Sequence, residues 1–140
     1  THLTLFRLVQ RAGLGARAEI DPDLVEWNYG DYEGLTSTQI RETRPDWQLF
    51  RDGCPGGESV DQVGARADRV VARLRACQWS TIVFSSGHFL RVLAARWIGL
   101  PASGGALFVL TTATLSMLGY EHRLTNPAIR LWNDAKHVGD

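Results

Sequence analysis

A short apolar run, followed directly by a small-residue turn and a helical pattern, most constrains the fold of this chain. Residues 81–84 (TIVF) are continuously apolar, which is typical of strands covered on both faces in a parallel sheet. Residues 85–88 (SSGH) follow, and a helix is predicted over about 89–98, ended by Gly99. Open α/β sheets bind ligands at the carboxyl ends of such strands. The unit therefore predicts an α/β domain with a ligand site at this turn.

Two capping signals predict further helices. Thr36 with Gln39 has the spacing of a capping box at the start of a short helix, and Ser59 with Gln62 has the same spacing at the start of an amphipathic helix ending near Cys77. Helices that alternate with apolar strands indicate a three-layer α/β/α sandwich. The other predicted strands cover residues 3–6, 106–110, 114–120 and 128–132.

Length and charge exclude several classes of protein. The 140 residues suit one domain, predicted over 1–140, and 15 basic against 15 acidic side chains leave no basic field for nucleic acid. No apolar run reaches the roughly 20 residues of a membrane span, and the first residues do not resemble a signal peptide. We expect a cytoplasmic protein without nucleic-acid or membrane partners. Its cysteines and histidines lack metal-ligand spacing, so no metal or other cofactor is expected.

The turn at residues 85–88 is the first candidate site. Backbone N–H groups at a helix N-terminus favour an anion, and Ser86, Gly87 and His88 lie there, with Arg91 one turn further along the helix. The spacing alone is equally consistent with an ordinary helix start. A ligand site and a plain cap therefore both remain open on this observation.

Residues 24–34 (LVEWNYGDYEG) are the second candidate. They have neither a helical nor a strand period, which predicts a loop that presents side chains. Glu26 lies beside Trp27, and aromatic neighbours can raise the pKa of a carboxyl group by desolvation, as a general acid requires. The pattern by itself favours a plainer interpretation, a solvated acidic loop whose aromatic residues pack on the core.

Two further positions have an ordinary and a functional interpretation. Glu58 and Ser59 at a helix start are typical of capping and of charge at the positive helix end. Arg7 directly follows the first predicted strand, where an arginine is usually exposed but can also clamp phosphate.

Taken in order, three runs resemble the histidine phosphatase (phosphoglycerate mutase-like) superfamily, in particular the branch of sedoheptulose-bisphosphatase-like and broad-specificity acid phosphatases. The runs are 24–34 (LVEWNYGDYEG), 51–59 (RDGCPGGES) and 84–91 (FSSGHFLR). The resemblance extends from about residue 12 to residue 133 and implies a phosphoglycerate mutase-like fold. It also implies a histidine that attacks phosphorus, a second histidine that stabilises the phosphoryl charge, and a glutamate that protonates the leaving alcohol.

Carried over residue by residue, the resemblance assigns the acid role to Glu26. It puts Leu8 and Ser86 at the positions of the two catalytic histidines, and neither side chain can supply an imidazole. His88 follows the glycine of the second motif and is a candidate catalytic residue. The expected substrate-binding residues are Arg7, Gly87, Arg91, Glu58 and Ser59.

The early part of the chain also departs from the family pattern. Only a few residues separate the first predicted strand from Gly13, whereas a βαβ crossover takes about 30 residues. An early βα portion is therefore expected to be missing. Natural shortening, an incompletely given chain and an engineered inactive variant each explain part of this. The absent initiator methionine favours omission, and the two histidine replacements favour genuine loss.

Three functional hypotheses follow. The first is a degenerate family member that has lost phosphohistidine-based hydrolysis and binds a phosphorylated or anionic small molecule. The second is an enzyme of another class, with Glu26 and His88 as an acid/base pair for cyclisation or isomerisation. The third is an assembly module whose uncovered apolar sheet is buried by a partner or a second copy, giving a homo-oligomer. An active phosphatase, given as an incomplete or engineered chain, also remains open.

Overall fold

The computed structural model describes residues 19–136, in which helices form the core and two strands form a small sheet. The α-helices among these residues are α1 (Ser37–Thr43), α2 (Leu49–Asp52), α3 (Val60–Ala76) and α4 (Gly87–Trp97). The strands are β1 (Leu115–Tyr120) and β2 (Pro127–Asp134). Turns of 3-10 helix cover Pro22–Leu24, Gly30–Tyr32 and Ala102–Leu107.

Both predicted capping boxes are present. At the start of α3 the Ser59 hydroxyl accepts from the Gln62 N–H at 3.2 Å, while the Gln62 side chain accepts from the Ser59 N–H at 2.8 Å. Thr36 and Gln39 make the same reciprocal pair before α1. The predicted helices that correspond to α1, α3 and α4 are confirmed, and their ends differ from the predicted ends by at most two residues. The short helix α2 was not among the predicted helices.

Helices α3 and α4 pack against each other to form the core. Gly64 lies so close to the Ala102 segment that a Cβ on it would meet the Ala102 Cβ at 2.9 Å, which fixes where the chain runs after α4. Trp27, from the loop before α1, is 1% exposed and packs edge-to-face on Phe50 at 5.5 Å. The core residues contributed by α3 and α4 include Val63, Ala67, Val70, Phe89, Val92 and Leu93.

The loop that carries Glu26 is held by the loop that precedes α3. The Asp31 N–H donates to the Pro55 carbonyl at 2.8 Å, and the Glu58 N–H donates to the Asn28 carbonyl at 2.9 Å. The contact is so close that a Cβ on Gly57 would lie 2.2 Å from the Asn28 carbonyl oxygen. These two loops therefore form one layer beside the start of α4.

The sheet differs from expectation. Strands β1 and β2 confirm the predicted strands at 114–120 and 128–132, and they pair antiparallel, with Leu118 opposite Ile129. The predicted strands at 81–84 and 106–110 were wrong for the part of the chain described, because neither segment has strand pairing there. Ile82 is 65% exposed and Leu107 is 78% exposed. A buried parallel strand needs neighbours on both sides, and within 19–136 the two strands pair only with each other.

Some expectations fall on residues beyond those described. The strand at 3–6 and the missing βα portion lie outside 19–136. Within residues 19–136, no helix is long and apolar enough to cross a membrane.

We expect Gly57→Ala to lower the free energy of unfolding by about 1–3 kcal/mol, because the added methyl group has no space against the 28–30 backbone. Gly87→Ala is the matched control, since a Cβ there meets nothing within 4 Å. Urea unfolding followed by circular dichroism measures both variants. Equal stability of the two variants would contradict the close packing of the loops.

Candidate functional site

The start of α4 is capped by Glu26. The Glu26 carboxylate accepts from the backbone N–H groups of His88 at 3.2 Å and Phe89 at 2.9 Å, and from that of Trp27 at 2.8 Å. Ser86 occupies the N-cap position, but its side chain makes no capping hydrogen bond. A carboxylate is favoured at the positive end of a helix. Two candidate segments that lie about sixty residues apart in the sequence are thereby joined.

This contact changes which groups are available to a ligand. The N–H of His88 belongs to the helix start that the sequence predicted as an anion site, and Glu26 already accepts from it and from the next N–H, that of Phe89. Gly87, at the first position of α4, has open space around its Cα. The donors at this helix start that Glu26 does not take up are the Gly87 N–H and the side chains of His88 and Arg91.

His88 is held between two aromatic rings. Its Nδ1 lies 2.6 Å from the Tyr29 hydroxyl, and its ring packs edge-to-face with the rings of Tyr29 and Phe50 at 5.8 and 5.7 Å. Burial lowers the pKa of His88 below its usual 6.5; the charge of Arg91 lowers it further and that of Glu26 opposes the change. The imidazole is therefore mainly neutral near pH 7.

Arg91 lies one turn further along α4, as predicted. Its guanidinium carbon is 4.4 Å from the centre of the Phe50 ring, and its Nε donates to the Gly105 carbonyl at 3.0 Å. Burial lowers the pKa of Arg91, although an arginine stays charged at any physiological pH. The ring and the carbonyl fix one side of this cation beside His88.

His88 and Arg91 line a cleft of about 540 Å³. A volume of this order is typical of small-molecule sites. The cleft carries aromatic walls, these two nitrogen donors, and the carboxylate of Glu33. The aromatic residues that line it are Tyr29, Tyr32, Trp47 and Phe50. The arrangement can hold an anionic group at the His88–Arg91 end and a less polar group along the rings.

Glu58 and Ser59 lie in structural contacts, away from the lining of this cleft. The Glu58 carboxylate accepts from Nε and Nη2 of Arg66 at 2.9 and 2.8 Å, and from the Asn28 N–H at 2.9 Å. Ser59 caps α3. Both contacts are the capping and charge roles that are usual at a helix start, and a binding role for either residue stays a prediction.

Sequence reasoning missed Arg66, which anchors the loop that carries Glu26. The residue is 6% exposed, and its Nη1 donates to the carbonyls of Asp23 and Val25 at 2.8 and 2.7 Å. One signal was available. Arg66 lies three residues after Val63 and four before Val70, on the apolar face of α3, where a cation needs buried partners.

Two of the predicted site residues cannot be compared, because Arg7 and Leu8 lie outside residues 19–136. In the part of the chain that the structure describes, no group of three or more His, Cys, Asp or Glu side chains is arranged to hold a metal ion. Cys54 and Cys77 are free, the first buried and the second exposed.

Comparison with known families decides the assignment. The sequence model of the histidine phosphatase superfamily (branch 1) matches residues 7–135. The chain belongs to the histidine phosphatase superfamily. The resemblance carried by residues 24–34, 51–59 and 84–91 is confirmed at the level of the family.

Two curated relatives agree with the branch suggested by the sequence. This histidine phosphatase family member is 45% identical over 113 residues to an acid phosphatase of Mycobacterium tuberculosis, and the match covers 79% of this chain and 56% of the relative. It is 39% identical over 108 residues to sedoheptulose 1,7-bisphosphatase of Saccharomyces cerevisiae, covering 65% and 39% respectively. The chain thus spans about half the length of the curated relatives that it matches.

Solved structures place the fold among phosphoglycerate mutase-like α/β proteins. An open reading frame product of Mycobacterium tuberculosis superposes with a TM-score of 0.82 at 40% identity, over 92% of this chain and 66% of that one. A mycobacterial glucosyl-3-phosphoglycerate phosphatase, in complex with inorganic phosphate, gives a TM-score of 0.71 at 31% identity, over 93% and 70%. The predicted fold class is therefore confirmed.

We expect Arg66→Met to lower the free energy of unfolding by about 3–5 kcal/mol, because it leaves the Glu58 carboxylate without its cation and three backbone carbonyls without the donor that Arg66 supplies. Arg69→Met is the matched control, since Arg69 is an exposed residue of the same helix paired with Asp23. Urea unfolding should show a large loss for the first variant and little change for the second. A loss of similar size in both would contradict the buried role of Arg66.

We also expect the stability of the protein to fall as the pH drops through about 6.5. The unfolded chain binds a proton at His88 that the folded site disfavours, so protonation below the unfolded pKa favours unfolding. His88→Gln should remove this component, while His122→Gln should keep it, because His122 is an exposed side chain in a turn. Urea midpoints between about pH 7.5 and 5.5 give the slopes. Parallel slopes for the wild type and His88→Gln would be the contrary result.

Proposed function

We propose that this histidine phosphatase family member binds a phosphorylated or otherwise anionic small molecule in the 540 Å³ cleft at the start of α4. The observation that carries the proposal is the presence of His88 and Arg91 on one wall of that cleft. The imidazole of His88 is held by Tyr29. The guanidinium of Arg91 is held by the Phe50 ring and the Gly105 carbonyl. Preorganised N–H donors are the usual means of holding phosphate oxygens. A relative of the same family is known in complex with inorganic phosphate, which supports this choice of ligand.

The second part of the proposal is that phosphohistidine-based hydrolysis has been lost. Ser86 stands where the family motif has its second histidine, and a serine hydroxyl cannot carry the positive charge that stabilises a transferring phosphoryl group. Leu8, at the position assigned to the nucleophile, offers no atom that can be phosphorylated. The names of the relatives, acid phosphatase and sedoheptulose 1,7-bisphosphatase, keep an active phosphatase as the competing outcome.

The alternative of acid/base catalysis has one observation in its favour. The half-buried, mainly neutral His88 contacts the Tyr29 hydroxyl, which also lies close to the Glu26 carboxylate, as an acid/base pair on an unphosphorylated substrate would require. However, the carboxylate of Glu26 accepts hydrogen bonds from three backbone N–H groups, and Glu26 is not among the residues that line the cleft. We therefore prefer anion binding.

The test of binding is titration with inorganic phosphate. We expect Arg91→Leu to weaken phosphate binding at least about tenfold, because one charge-assisted pair is lost. Arg123→Leu is the control: Arg123 is an exposed residue in the turn between β1 and β2 and leaves the cleft intact. Isothermal calorimetry measures both, and circular dichroism confirms that each variant is folded. Equal affinities in the two variants would exclude this cleft as the anion site.

The test of lost hydrolysis is turnover of an aryl phosphate by the purified chain. We expect none above a mock preparation. Turnover that disappears in Leu8→Ala or Ser86→Ala, and is absent from the mock preparation, would show that the active-phosphatase alternative is correct.

A further inference from the structure

The cleft that contains His88 and Arg91 has a second cation in its lining, Arg41 of helix α1. We infer that Arg41 is a specificity-determining residue: it binds a second anionic group of the ligand, while His88 and Arg91 hold the first. The preferred ligand is then a small molecule with two anionic groups, one at each end. This inference rests on the proposed function, because it takes the cleft to be the anion site.

The lining of the cleft puts Arg41 on a different side from His88 and Arg91. A second cavity, of about 530 Å³, adjoins the cleft, since Arg41, Trp47 and Gln48 line both. His88 and Arg91 are not among the described residues that line this second cavity. Arg41 therefore marks the side on which the cleft continues toward the second cavity, away from the start of α4.

The two cations are held by different parts of the core. The guanidinium carbon of Arg91 lies 4.4 Å from the centre of the Phe50 ring, which belongs to the main core cluster. The Nε of Arg41 donates to the Trp47 carbonyl at 3.3 Å, and Trp47 belongs to a separate cluster with Ile40. The two guanidinium groups are thus positioned independently, as two subsites for two anionic groups require.

Arg41 also differs from the neighbouring arginines in its partners. Arg51 pairs with Asp52 at 2.8 Å, and Arg44 donates to the Tyr32 hydroxyl at 3.1 Å. Within residues 19–136, no carboxylate lies at ion-pair distance from Arg41. The planar guanidinium group matches the oxygens of a phosphate or a carboxylate. A cation in the cleft wall without a carboxylate partner in the described chain is suited to a ligand anion.

The charges in the cleft favour such a ligand. Glu33 contributes a carboxylate to the lining, and this group accepts from the Tyr29 N–H at 3.0 Å. The described lining therefore has two guanidinium groups against one carboxylate, with His88 mainly neutral. A ligand with a single anionic group at the His88–Arg91 end leaves Arg41 unmatched. A second anionic group gains a charge-assisted pair if it reaches Arg41.

Isothermal calorimetry with matched probes tests the inference. The probes are the bisphosphates of ethane-1,2-diol, butane-1,4-diol and hexane-1,6-diol, each compared with the monophosphate of the same diol. For at least one of these chain lengths, the wild type should bind the bisphosphate at least about tenfold more tightly than the monophosphate. Arg41→Leu should bring the two affinities to within about threefold of each other, because the second phosphate loses its charge-assisted pair.

Arg44→Leu is the matched control. Arg44 follows the last residue of α1 and carries the same charge, but it is not among the residues that line the cleft. This variant should keep the preference for the bisphosphate, and circular dichroism confirms that both variants are folded. An equal loss of preference in Arg41→Leu and Arg44→Leu would show a general effect of charge and would overturn the inference. Full preference in Arg41→Leu would overturn it as well.

The monophosphate titrations separate this inference from the proposed function. A wild type that binds the monophosphates and prefers no bisphosphate refutes the second subsite at Arg41 and leaves the proposed function in place. A wild type that binds neither kind of probe refutes the proposed function, and the inference with it. The wild-type ratio gives this answer even if Arg41→Leu fails to fold.

Discussion

The buried guanidinium of Arg66 is the contact on which the position of the site depends. Its five N–H bonds meet five acceptors: both carboxylate oxygens of Glu58 and the carbonyls of Asp23, Val25 and Glu26. The guanidinium carbon of Arg66 also lies 4.4 Å from the centre of the Phe89 ring, so the planar cation is contacted at its edges and on one face. A buried charge is tolerated only when its hydrogen-bond donors all have acceptors. For Arg66 this requires three carbonyls of the loop to face the guanidinium. The loop before α1 therefore has its course set from within α3.

The site follows from that course. Because the carbonyl of Glu26 is held by Arg66, the side chain of Glu26 reaches the start of α4, and Tyr29, three residues later, reaches His88. The carboxylate then uses two of the helix N–H groups that an anion would otherwise meet. In the function proposed above, the side chains of His88 and Arg91 would take over recognition of the ligand. At the helix start, the carboxylate of Glu26 thus accepts from the inner N–H groups, while the side chains of His88 and Arg91 line the open cleft.

The features that sequence reasoning obtained correctly are local or carried by whole motifs. The capping boxes of α1 and α3 were predictable because both partners lie within three residues, and the family was predictable because three runs occur in a fixed order. The segment 81–84 shows the opposite case. Its apolar run has the composition of a buried strand, but a strand exists only where a neighbour pairs with it, and composition does not encode the neighbour. The Glu26 cap on α4 joins residues about sixty positions apart, a distance over which no periodicity or spacing gives a signal.

Many arginines of this chain stabilise irregular stretches of backbone. Lys136 is the single lysine in the sequence, and arginine side chains on several elements donate to main-chain carbonyls. Examples are Arg41 to Trp47, Arg75 to Trp97, Arg91 to Gly105 and Arg96 to Leu100. Such bonds join a cation to a neutral dipole, so they are less subject to ionic screening than the exposed pairs of Asp23 with Arg69 and Arg73. An exchange of these arginines for lysine would conserve every charge and still lose the planar fork that spans neighbouring acceptors. The position of these loops therefore depends more on the geometry of the guanidinium groups than on net charge. Added salt should weaken the exposed ion pairs and leave the arginine–carbonyl bonds of the loops intact.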